Sequence, residues 1–355
     1  MKNLVILSAI ILLISGCNIA RKPTVPTEED MDAYLFTYFS DPTHSLFMAI
    51  SRDGYTFTAV NNGEPVLAGD TIADQKGIRD PHIYRGPDGA FYLAMTDLHI
   101  FAQRKGYRET QWERPQEEFD WGNNRGFVLM KSNDLINWTR SSVRINETFP
   151  ELETVGCAWA PQTTYDPVAG KMMLYFTMRL GKGKTKLYYA YTDDDFTRLT
   201  SAPRLLFEYP NPNIQILDAD IAHLPDGRFC MTYVAQESPG GIKIAFSDSI
   251  HTGYQYQSEW IDYEPGACEA PNVWKRVRED KWVLMYDIFS INPHNFGFCE
   301  TTDFKTFTHL GHFNEGVMKI TNAVSPKHGA VIQITAEEAN RLETHWKNNP
   351  QTYKF

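Results

Sequence analysis

Short apolar runs separated by polar turns dominate the chain. Runs such as Trp282-Val283-Leu284-Met285-Tyr286 and Met173-Leu174-Tyr175-Phe176 are rich in aromatic and branched residues and read as buried strands. Ile83-Tyr84-Arg85-Gly86-Pro87-Asp88-Gly89-Ala90-Phe91-Tyr92-Leu93 predicts a hairpin about an Asp-Gly turn. Leu224 to Phe229 repeats that pattern, and Thr164 to Lys171 gives a longer turn before Met173. Helical periodicity is almost absent until Thr335 to Leu342, where Thr335 is placed to cap a helix with Glu338 three residues on.

A second motif recurs five times. Ser51-Arg52-Asp53-Gly54-Tyr55-Thr56-Phe57 and Ser132-Asn133-Asp134-Leu135-Ile136-Asn137-Trp138 are the clear copies. Weaker ones stand at Thr192 to Phe196, Ser247 to Ser249 and Thr302 to Phe307. A Ser or Thr, an Asp and a later aromatic suit a turn leading to an outer edge strand. Five mostly-β units of roughly 50 to 80 residues predict an all-β fold, a five-bladed β-propeller in a single domain with a short C-terminal helix. A β-sandwich would give no reason for five copies of one turn. The segment from His99 to Gly126, carrying Tyr107, Trp112, Phe119 and Trp121, interrupts the rhythm and is expected to wall a site.

Composition narrows the function. With 355 residues, 42% hydrophobic, the chain can bury a proper core. A formal net charge of -10 without a basic patch argues against nucleic acid as a partner. Residues 1–17, with Lys2, an apolar run from Leu4 to Ile14 and Leu13-Ile14-Ser15-Gly16-Cys17, are too short for a permanent span. They resemble a bacterial lipoprotein signal, which implies lipidation of Cys17, envelope anchoring and no other membrane contact. Residues 18–30 read as a flexible tether, which leaves 31–355 as the folded domain. Cys157, Cys230, Cys268 and Cys299 lack CxxC spacing and are expected as small buried side chains rather than a metal cluster.

In a propeller, residues opening the innermost strands gather at one end of the channel. Those openings are Arg79-Asp80-Pro81-His82, Ala158-Trp159-Ala160-Pro161-Gln162, Ile216-Leu217-Asp218-Ala219-Asp220, Cys268-Glu269-Ala270-Pro271 and Pro326-Lys327-His328-Gly329-Ala330. Carboxylates, a tryptophan and a histidine converging on one pocket suit a sugar, with an aromatic face to stack on and acids for proton work. Arg79, His82, Trp159 and His294 are candidate substrate contacts, and His328 reads as a polar plug in the channel.

These residues, over about 31 to 342, resemble glycoside hydrolase family 43, propeller enzymes acting on arabinose- and xylose-containing glycans. The resemblance implies a general base at Asp80 and a general acid at Glu269, whose family Glu-Gly-Pro reads Glu269-Ala270-Pro271 here. It implies a residue tuning the acid at Asp218, with Asp220 as the alternative, since both point to one face of a strand. In some members the late histidine binds a calcium or water cluster, which would make His328 a metal contact; no cofactor is otherwise implied. Arg79-Asp80-Pro81 also resembles fructan-cleaving propellers and mannoside phosphorylases, but Ser40-Asp41-Pro42 lacks the Asn those fructan enzymes use. The expectation is inverting, exo-acting removal of terminal α-L-arabinofuranosyl or β-xylosyl units from an oligo- or polysaccharide. A galactosyl unit is the next choice, and a non-catalytic carbohydrate-binding propeller is the reading of another class. Inversion requires the two carboxyl groups to stand roughly 6.5–9.5 Å apart.

Overall fold

A computed structural model describes residues 25–102, 104–107 and 114–353. The lipoprotein leader, Cys17, most of the tether and Trp112 lie outside the described residues. Of the tether, 25–30 are described. Glu28–Asp30 forms a single 3-10 turn, and Lys275 pairs with Glu28 at 2.7 Å.

Five sheets radiate from a common centre, antiparallel but for Lys319–Thr321, which adds to Thr56–Ala59 in parallel. The second blade runs Ile78–Arg85, Phe91–Asp97, Gly126–Ser132 and Trp138–Arg144 from inside outward. The third begins at Val155–Asp166, the fourth at Ile216–His223 and the fifth at Cys268–Lys275. The first blade is composite. Its strands Met31–Phe39, Leu46–Ser51 and Thr56–Ala59 take their innermost partner, Lys327–Thr335, from the far end of the chain. The five innermost strands pack side by side in a closed ring. All five predicted strand openings are therefore openings of innermost strands, and the five-bladed propeller is the observed architecture.

The repeated turns link the third and fourth strands of each blade. In three of them the geometry is the same: one Asp oxygen accepts from two successive backbone N–H groups. Asp53 does so from Tyr55 and Thr56, Asp134 from Ile136 and Asn137, and Asp303 from Lys305 and Thr306. Ser51, Ser132 and Thr301 add a hydroxyl that accepts the N–H just before these, of Gly54, Leu135 and Phe304. The hydroxyl of the fifth turn is that of Thr301, not Thr302. The core lies between blades, for example where Phe36, Phe57, Phe296, Phe298 and Phe313 meet between the first and fifth. The four cysteines are buried and unpaired. Helix Ala336–Asn348 carries the expected Thr335/Glu338 capping box, and Glu338 also takes both guanidinium nitrogens of Arg85, at 2.9 and 2.5 Å. Among the described residues no helix is long and apolar enough to cross a membrane.

Candidate active site

Each innermost strand breaks its ladder at the same place. The register slips between Arg79 and His82, Trp159 and Gln162, Leu217 and Asp220, Glu269 and Asn272, and across His328. The residue in each break has a positive φ: Asp80 at 53°, Ala160 at 45°, Asp218 at 52°, Ala270 at 57° and His328 at 21°. A bulge re-aims side chains, and here Asp80, Asp218 and His328 from within the break, with Trp159 and Glu269 just before it in the other two strands, reach one mouth of the channel. Proline can sit in such a break because its missing N–H has no ladder partner to lose, hence Pro81, Pro161 and Pro271. Four of the five are well inside the left-handed region without being glycine, at a cost of roughly 1–2 kcal/mol each. Ala270 stands where the resembling enzymes have glycine, so that replacement is less mild than its small size implies.

Neighbouring blades hold the bulges. Thr96 Oγ1 accepts from Ala160 N at 2.8 Å, Thr177 Oγ1 from Asp218 N at 2.9 Å, and Asp287 Oδ2 from His328 N at 3.1 Å. Each acceptor lies on the second strand of the preceding blade. Three of the five bulges are thus braced by the blade before them.

Asp80, Asp218, Glu269 and His328 line one cavity of about 280 Å³, together with Arg79 and Trp159. Its outer wall includes Asp120 and Trp121 of the insertion. Arg179 fastens that wall: its guanidinium donates to the carbonyls of Phe119 and Trp121, at 2.9 and 2.7 Å, and lies 4.7 Å from the Trp159 ring. Trp159 Nε1 donates to Gly122 O at 2.8 Å. The insertion is therefore part of the pocket.

Charge in the pocket is sharply organised. Asp80 Oδ2 accepts from the Thr96 hydroxyl at 2.7 Å, and Oδ1 lies 3.2 Å from His328 Nδ1. Burial would raise the Asp80 pKa, but the His328 charge and hydrogen bond, with Arg79 and Thr96, outweigh it and hold the carboxyl far below its usual range. Burial would lower His328, yet Asp80, Asp218 and Glu269 push the imidazole up to about 9. Asp218 is pushed up to about 7 by burial, offset by His328 but reinforced by Glu269 and Asp80. Lys327 Nζ bridges Glu269 and Asp287, at 3.5 and 3.3 Å. Arg79 donates to Asp41 Oδ1 at 2.8 Å.

Not every expected residue reaches the pocket. His82 points one layer deeper, where its Nδ1 accepts from Thr163 N at 3.1 Å, and burial pushes its pKa down to about 3. As a substrate contact it is displaced because the bulge turns Asp80, not His82, outward. Asp220 shares that deeper layer, accepting from Val273 N at 2.6 Å and Asn272 Nδ2 at 3.3 Å. Both Asp218 and Asp220 face the channel, but only Asp218 lines the cavity. His294 Nε2 lies 3.5 Å from Asp41 Oδ2 and is outside the pocket lining. His328 Nδ1 is taken up by Asp80 at 3.2 Å, and calcium prefers oxygen donors to imidazole. The residues here do not fit a metal on His328. Lys327, Asp287 and Arg179 were missed in the sequence; an Asp closing the apolar run Trp282 to Tyr286 was the one local signal.

Residues 29–340 match the family described as "Probable glycosyl hydrolase domain", a relative of glycoside hydrolase family 43. A family 43 protein of Bacillus licheniformis, solved as a mutant, is 13% identical with a TM-score of 0.52, over 87% of this chain and 57% of its own. That likeness is one of fold. An exo-β-1,3-galactanase of Clostridium thermocellum gives 15% identity and a TM-score of 0.49, over 69% and 49%. An α-L-arabinofuranosidase of Lactobacillus brevis gives 15% and 0.46, over 68% and 75%. No curated protein matches the sequence. With the family match spanning almost the whole propeller, the chain belongs to the glycoside hydrolases related to family 43, and its substrate is a carbohydrate.

Proposed function

We propose that the chain is an inverting, exo-acting glycosidase that removes a terminal α-L-arabinofuranosyl unit, with β-xylosyl as the second choice. The observation that carries the reading is the meeting of Asp80, Asp218 and Glu269 in one small cavity beside Trp159. Asp80 stays ionised and has one oxygen on Thr96 and the other on His328, which suits a base that orients and deprotonates a water. Glu269 reaches the same cavity from the fifth blade and donates the proton to the leaving oxygen. Asp218, its charge disfavoured by burial, modulates the electrostatics around Glu269. A cavity of about 280 Å³ lies near the lower end of ligand sites. Closed on one side by Trp121 and Asp120, it favours one terminal sugar over an open chain. The arabinofuranosyl preference rests on the sequence resemblance.

Aryl arabinofuranoside, xyloside and galactoside assayed side by side, with Glu269→Gln as blank, test the proposal. Turnover of unactivated glycosides by the variant is expected to fall by about 10²–10⁴. Full activity of that variant sinks the acid assignment, and retention of anomeric configuration in the product overturns Asp80 as base. The chemistry uses water and two carboxylates and calls for no cofactor. We also propose that the mature chain is lipid-anchored through Cys17 at the envelope; a Cys17→Ala chain that stays in the membrane fraction would overturn this.

A further inference from the structure

The outermost strand of the fifth blade, Thr308–His312, carries two histidines three residues apart. On a regular strand such positions face opposite sides. Here the ladder slips between the pairs Phe298–Gly311 and Cys299–His309, and Gly311 has a φ of +80°. The extra residue turns His309 and His312 to one side. Glu264, in the connection leading into the fifth blade, meets them there. One ring nitrogen of each histidine and a Glu264 oxygen lie within 4.8 Å of one another.

The surroundings hold this group in place. Glu264 N donates to Asp262 Oδ1 at 2.9 Å, and its carbonyl accepts from Ala267 N at 3.0 Å. The His309 ring stacks on Tyr263, with centroids 4.6 Å apart and 11° between planes. The Tyr263 hydroxyl is fixed by a 2.7 Å bond to Phe307 O. His312 Nε2 lies 2.6 Å from Glu264 Oε1, while its Nδ1 lies 3.1 Å from Glu315 Oε2. None of these residues lines the sugar pocket.

We propose that Glu264, His309 and His312 bind a divalent first-row cation of the zinc class. Two imidazoles and one carboxylate form a donor set such ions accept, at about 2.0–2.2 Å per ligand. Magnesium and calcium, which take oxygen ligands, are selected against. Glu315 accepts a hydrogen bond from His312 Nδ1–H and so leaves the Nε2 lone pair to ligate, the outer-sphere carboxylate common behind metal-bound histidine. Water completes the coordination. The exposed His309 side chain closes onto the ion by rotation, while His312 Nε2 and Glu264 Oε1, now 2.6 Å apart, open to the roughly 3.4 Å that separates two donors of a tetrahedral ion. A bound ion ties the connection that runs into Cys268–Lys275 to the outer edge of the same blade. The inference is independent of the sugar proposed above.

Chelator-treated protein titrated calorimetrically with zinc chloride tests it, with magnesium and calcium chloride as separate arms. The expected result is one equivalent of zinc, with affinity at least 10-fold weaker in His309→Gln and in His312→Gln. Zinc at about 100 times its Kd should raise the melting temperature by a few degrees in the parent chain and not in the variants. Melting and circular dichroism of the metal-free variants report their fold, and Glu264→Gln supplies a third disruption should one histidine variant unfold. Zinc binding of equal strength in the folded variants, no heat at millimolar zinc, or equal binding of magnesium or calcium each overturns the proposal.

Discussion

His328 Nδ1 stands 3.2 Å from Asp80 Oδ1, and the two residues occupy the same bulge of adjoining innermost strands. The pairing makes each group hold the other's charge. Because the His328 pKa is raised to about 9, its share of stability is complete below the ordinary histidine value of about 6.5 and is lost as pH rises through 9. Asp80 is shifted the other way: its share is present above about 4 and is lost only in strong acid. Both are intact between about pH 4 and 6.5. In His328→Gln, burial is opposed by Arg79 and Thr96 without the larger His328 contribution, so the acid limb of kcat/KM should move upward by about one unit or more. An unchanged acid limb removes His328 from the site's proton balance.

Asp218→Asn should separate stability from turnover. The Asp218 pKa is raised to about 7, first by burial and then by Glu269 and Asp80 against His328. Raised in the folded state, the group stabilises fully below about pH 4 and loses that contribution as pH rises through 7. The neutral amide should therefore be more stable than the parent at pH 8, on the order of 1–3 kcal/mol by urea unfolding, and equal at pH 4. Turnover should fall at least 10-fold. Parent-like stability at pH 8 would contradict the buried charge.

Lys327→Met should do the opposite. Lys327 is buried and bridges Glu269 and Asp287. Removing one partner of a buried pair costs about 3–5 kcal/mol. Asp287 is pushed up to about 6 by burial, against Lys327 and with Glu269, so below that pH it can take a proton in place of its ion pair. The loss measured by urea unfolding should be smaller at pH 5 than at pH 8. An equal loss at both would mean that Lys327 acts through packing alone.

Arg179→Ala tests the insertion as a wall of the pocket. Its guanidinium holds the carbonyls of Phe119 and Trp121 and lies on Trp159. Releasing them should raise KM roughly 10-fold, about 1.4 kcal/mol, with a smaller change in kcat. A KM equal to that of the parent would leave the wall without a part in substrate binding.

The ring was legible because it repeats. Five strand openings and five turns align along the chain; Asp80 and Asp218 fall at matching places, with Glu269 one residue earlier, level with Arg79 and Trp159. The bulge was not legible, since a ladder slip leaves no period of its own. For that reason Asp218 and Asp220 looked equivalent, and His82 looked like a pocket residue. Thr96, Thr177 and Asp287 escaped notice because their task is to accept one N–H from the next blade, a relationship between strands about 40 to 65 residues apart. Arg179 escaped because its partners are backbone carbonyls, which any residue supplies.

The composite first blade has a consequence for order in time. Lys327 and His328, which hold Glu269 and Asp80, arrive on the last strand of the ring to leave the ribosome. Until Lys327–Thr335 slides in beside Met31–Phe39, Asp80 lacks its histidine partner and the ring has two open edges. Closing the propeller and completing the pocket are one event, so a partly made ring has neither a sealed core nor Asp80 and Glu269 held by their partners.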